Sequence, residues 1–186
     1  MTGSGLGATK DTFYGEEITP EFRAYLERQR AEKKLERSNA GKIVRRFANM
    51  VKALGFRRKS TWFAREADLF VQFIHIHKFT FGPCFRLHYG IRVLNDDRKS
   101  VALNGPDETL GLEYGTDDTS LGQCAAAMYS LVKEEAVPWF ESQTTERLLK
   151  EHSCLYPHER DALRRALAGE VDAEAVQRSR ELFGFG

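Results

Sequence analysis

His75 and His77 stand two residues apart in the run from Leu69 to Phe79. Side chains alternate across a strand, so a strand here points both imidazoles to one face. The Phe81-Gly82-Pro83 turn then sends the chain back through Phe85 to Leu94, and antiparallel pairing brings His75 near His88. Three imidazoles within reach of one another are a donor set for zinc or iron. No carboxylate or thiolate completes the set, because Cys84 stands by the turn, and the same face carries Leu69, Val71, Phe73 and Phe79. The competing expectation is three histidines hydrogen-bonded at a sheet edge or cleft, with no cofactor.

A thiol nucleophile with an imidazole base would pair Cys84 with His88, or Cys154 with His152 or His158, but no surrounding motif supports either pair. Gly-x-Gly occurs at Gly3-Ser4-Gly5 and Gly184-Phe185-Gly186, neither between a strand and a helix, so phosphate cradling is not supported. With no complete catalytic motif, the sequence leans away from an enzyme. Cys84, Cys124 and Cys154 are odd in number and lack a C-x-x-C pattern, which argues against a disulfide framework and points to inert thiols in a reducing, cytoplasmic setting.

Charge offers two further surfaces. The net charge is only +1, but between Arg23 and Lys59 thirteen Lys/Arg face three Glu, and between Asp96 and Arg147 eleven Asp/Glu face four Lys/Arg. Arg57, Arg58 and Lys59 beside Trp62 are the candidate nucleic-acid contacts, since cations meet phosphates and an aromatic ring stacks on bases. Asp96, Asp97, Asp107, Glu108, Glu113, Asp117 and Asp118 are the candidate protein-partner contacts, an acidic span suited to a basic active site. Solvated helix faces account for such asymmetry as well.

The elements that must position these residues follow from periodicity. Residues 1–18 are rich in Gly, Thr and Ser and read as flexible, with no apolar core for a signal peptide. Thr19-Pro20-Glu21 opens a charged helix to about Arg37, and Ser38-Asn39 is placed to cap a second, apolar-striped helix that Gly55 ends. Strands follow at Thr61–Arg65, from Leu69 and from Phe85, with Glu66-Ala67-Asp68 as a turn and a weaker strand over Leu110–Tyr114. From Ser120 onward the spacing is helical, with Pro138 starting or kinking a segment. This predicts an α+β domain over 19–155: an N-terminal helix pair, an antiparallel meander of three to five strands packed on helices, and a helical C-terminal third that runs on as an extension over 156–186. No stretch approaches the roughly 18 apolar residues of a membrane span.

Leu54-Gly55-Phe56 with Arg57-Arg58-Lys59, His77-Lys78, Tyr89-Gly90-Ile91 and Val137-Pro138-Trp139-Phe140 resemble, over roughly residues 40–155, the bacterial domain-of-unknown-function family 4304. His77 departs from that pattern, where glutamine is usual. The resemblance implies the fold and a small bacterial accessory protein; some such domains accompany polymorphic toxins as immunity proteins. The leading expectation is therefore a non-enzymatic, immunity-type inhibitor of a cognate toxin. The alternatives are a metal-binding domain or metal-dependent enzyme at His75, His77 and His88, and a nucleic-acid-binding accessory protein.

Overall fold

The computed structural model describes residues 12–13, 16–17, 19–80, 82–106 and 111–185, in two units, 1–38 and 39–186. In the first unit Thr12–Phe13 (β1) pairs antiparallel with Glu16–Glu17 (β2); the rest of the stretch expected to be flexible lies outside the described residues. Helix α1 (Pro20–Val51) starts as the sequence predicts. Thr19 Oγ1 accepts from the Phe22 N–H at 3.2 Å, proline needs no partner in the first turn, and Glu21 suits the helix dipole. The predicted pair of helices is one. Ser38 and Asn39 keep the helical path where a cap needs extended backbone, and Asn39 is buried.

In the second unit Ala40, Ile43, Phe47 and Val51 recur at helical spacing and are all buried. A 3₁₀ turn, Lys52–Leu54, follows, and Gly55 ends it in the left-handed region at φ 84°. Arg65 Nη1 donates to the Leu54 carbonyl at 2.8 Å, which satisfies one of the acceptors a helix end leaves open.

The sheet is a five-stranded antiparallel meander in sequence order: Arg57–Lys59 (β3), Trp62–Ala67 (β4), Phe70–Lys78 (β5), Cys84–Val93 (β6) and Leu112–Glu113 (β7). Ser60 and Asp68 take positive φ, 57° and 51°, in two tight turns, where short polar side chains are tolerated best. The turn expected over Glu66–Asp68 starts later, since pairing continues to Ala67 opposite Phe70.

One sheet face carries Phe63, Ile74, Ile76, Phe85, Leu87, Tyr89, Ile91 and Val93 into the main core. Against it pack α1, Leu121 and Met128 of α2 (Asp118–Leu131), Phe140 of α3 (Val137–Ser142), Leu148 of α4 (Thr145–Leu148) and Leu163 of α5 (Pro157–Leu167). Each such side chain contributes about 1.5–3 kcal/mol by leaving water. Pro138 offers no N–H to the carbonyl four residues back, and its ring would crowd that turn. The helix widens there into a π turn, Val132–Ala136, with the Val137 N–H reaching Val132 O.

The other face is covered at one end. Ala64, Val71, Phe73 and Leu94 pack with Phe183 of α6 (Ala173–Phe183), so residues 156–186 belong to the same unit as the sheet. No helix among the described residues is long and apolar enough to cross a membrane.

Candidate functional site

On that second face the register aligns one row across four strands. Lys59 lies opposite Trp62, Trp62 opposite His75, and His75 opposite His88. The row sits where the cover of α6 stops. Phe183 stacks on Phe73 at 5.4 Å and meets Trp62 edge-on at 5.7 Å, close to the helix terminator Gly184. Lys59 Nζ is already committed to the Glu181 carbonyl at the end of α6, where the helix dipole favours a cation. Trp62 and His75 stack with centroids 4.2 Å apart, and His88 continues the stack at 6.3 Å. In the next row His77 faces Arg86, whose guanidinium lies 5.3 Å from the centre of the Phe79 ring.

Two polar atoms in these rows are buried and have no hydrogen-bond partner among the described residues: His75 Nδ1 and Arg86 Nε. Trp62, His75, Arg86 and His88 are half-buried and His77 is exposed. Burial, then the neighbouring His88 and His77, lower the pKa of His75, which keeps its imidazole neutral near pH 7.

The expected three-histidine metal site does not assemble. His75 and His88 are register partners as predicted, but His77 pairs with Arg86 and its ring turns edge-on to Phe79 at 5.7 Å. The three do not bring donor atoms within 4.8 Å of one another. The period of two puts His77 on the right face but one row further along. The thiols are poor nucleophiles. Burial pushes Cys124 and Cys154 up to about 11, and burial with Glu113 raises Cys84.

The basic triplet divides between faces. Arg57 and Lys59 share the side of Trp62, while Arg58 lies over Phe63 on the other side, 6.0 Å from its centroid, and donates to Ser60 O. The three cations form no single patch with Trp62.

The acidic set disperses as well. Asp96, expected to face a partner, is 2% exposed and lies 3.1 Å from the Arg92 guanidinium, itself 1% exposed. A strand position that buries an arginine needs a counter-charge, and the chain supplies one four residues on. Arg92 also donates to Ser179 Oγ and to the carbonyls of Asp96, Arg98 and Ser100, tying α6 and the loop after β6 to the sheet. Asp97 is exposed near the Val93 end of β6, whereas Glu113 pairs with Cys84 at its other end. Nine residues of strand, about 30 Å, separate those ends of β6. Asp117 caps α2 by accepting from the Ser120 N–H, and Asp118 is held by Arg46 at 2.6 Å. Asp107 and Glu108 lie outside the described residues.

A different constellation forms behind the sheet, at the start of α5. Asp96, His158 and Glu159 are the one group of three His, Cys, Asp or Glu among the described residues whose donor atoms lie within 4.8 Å of one another. Glu159 is 1% exposed; its Oε2 accepts from the Tyr156 N–H at 2.9 Å and from Asn104 Nδ2 at 3.2 Å. Burial raises its pKa, opposed by those two hydrogen bonds and reinforced by Asp96. Sequence spacing considered His158 only as a partner for Cys154 and passed over Glu159. The signal was an acid at the third helical position behind Tyr156-Pro157, where a side chain folds back on the helix start. No family model, curated protein or solved structure matches this chain.

Proposed function

We propose that the protein is a non-enzymatic protein-binding domain, an immunity-type inhibitor that meets a cognate bacterial toxin in the cytoplasm with Trp62, His75, Arg86 and His88. The observation that carries this is the pair of unpartnered buried atoms, His75 Nδ1 and Arg86 Nε, in a half-exposed row of stacked rings. An unpaired buried polar atom costs about 1–3 kcal/mol. Once the half-exposed side chains over them give way, a partner's carbonyl or carboxylate oxygen accepts from the Arg86 Nε–H and recovers that cost on binding. Tryptophan and arginine are also the side chains that most often dominate protein interfaces. The bacterial setting and the toxin come from the resemblance to domain-of-unknown-function family 4304.

A protein fits this row better than a nucleic acid does. The rings stand against one another, so the Trp62 face toward His75 is already occupied, and the cations of β3 are split between faces. Tagged wild type and an Arg86→Ala/His88→Ala variant, incubated with lysate of the native host, test the proposal. It expects one near-stoichiometric protein on the wild type, depleted on the variant, whose toxicity the wild type suppresses. Retained nucleic acid that washes off steeply with salt, or equal capture by both chains, contradicts it.

A further inference from the structure

We propose that Asp96, His158 and Glu159 form a divalent-metal site, with Zn²⁺ as the preferred ion. The three donors come from separate parts of the fold: Asp96 from the loop after β6, His158 and Glu159 from the first turn of α5. Two ligands of a tetrahedral zinc ion, each at about 2.1 Å, stand about 3.4 Å apart. Donors already within 4.8 Å therefore need a contraction of at most about 1.4 Å, within the reach of side-chain rotation.

Charge gives the site a reason to take a cation. Two carboxylates are buried here, 2% and 1% exposed, with one guanidinium, Arg92, in contact with Asp96. The other Arg92 hydrogen bonds go to Ser179 Oγ and three carbonyls, and among the described residues Glu159 accepts from neutral donors, the Tyr156 N–H and the Asn104 amide. Among the described residues one buried carboxylate thus lacks a contacting cation, with Arg92 acting on it only at longer range, and burying a charge with partial compensation is costly.

Three species can supply that compensation: a proton on Glu159, an imidazolium at His158, or a metal. One imidazole and two carboxylates suit zinc. The surrounding contacts resemble those that orient metal ligands: Asn104 steadies Glu159, and the Arg98 N–H holds Asp96 Oδ1 at 3.2 Å. His158 is half-exposed, so one of the three ligands faces solvent in part.

The full chain, stripped with chelator and titrated with Zn²⁺, tests this by calorimetry and thermal unfolding. The expected result is one equivalent bound with a raised Tm. His158→Gln, at a half-exposed position, should weaken binding at least tenfold, as should Glu159→Gln, while His152→Ala, at an exposed position, leaves it within twofold. Folding of each variant is checked by circular dichroism. A folded wild type that binds no stoichiometric Zn²⁺, or binding that survives His158→Gln, overturns the proposal.

Discussion

Asn104 pairs with the backbone of Ile91 on both sides: its Oδ1 accepts from the Ile91 N–H at 3.0 Å and its Nδ2 donates to the Ile91 carbonyl at 2.8 Å. One side chain thus does for the Val93 end of β6 what a neighbouring strand would do. The glycines beside this contact are spatial necessities. A Cβ on Gly105 would stand 1.9 Å from the Tyr89 carbonyl oxygen, and one on Gly90 would stand 2.6 Å from both Asn104 Oδ1 and Phe73. Asn104→Ala leaves both Ile91 groups without these partners in a buried site. We expect a loss of roughly 2–4 kcal/mol in urea unfolding, since each unmade bond costs about 1–3 kcal/mol. A loss below about 0.5 kcal/mol would show that water or backbone movement replaces the contact.

Arg92 and Asp96 make a second prediction. Arg92→Met removes the guanidinium and strands Asp96, so it should cost about 3–5 kcal/mol, as breaking a buried pair does. Adding Asp96→Asn removes the orphaned charge and should recover part of that loss. Unfolding curves of the two single variants and the double variant give the coupling. Simple additivity would contradict a direct buried pair.

His75 predicts a pH dependence. Its folded pKa lies below the ordinary value of 6.5, chiefly through burial and then through His88 and His77. The unfolded chain takes up the proton first, so the stability that a neutral His75 confers is full above about pH 6.5 and declines as pH falls toward the folded pKa. His75→Phe keeps a ring against Trp62 and cannot titrate. It should therefore lose less stability than wild type between about pH 8 and about pH 5. Equal losses would place the protonation cost elsewhere.

The strands were legible in the sequence because one buried face enforces a period of two, and the pairing of His75 with His88 followed from that period and the turn. The single α1 was not legible, since Ser38-Asn39 is cap chemistry that the helix overrides by burying Asn39. The fate of Asp96 was hidden because a loop acid looks the same whether it meets solvent or a buried arginine in the preceding strand. Asn104 and Glu159 meet across a sequence separation of 55 residues, a relationship that no local pattern encodes. The described members of the acidic set are divided between the two ends of β6, which is why the row at the edge of α6 is proposed as the partner face instead.

The most direct test of that row is the affinity of the captured partner for four single variants, measured by calorimetry against wild type. Arg86→Ala and His88→Ala should weaken binding about 30-fold or more, the scale of an interface hot spot. Asp97→Lys and Glu113→Lys should stay within about threefold, as rim charges do. The reverse pattern, with the sheet variants neutral and the charge reversals disruptive, would return the interface to the acidic residues and contradict the central claim.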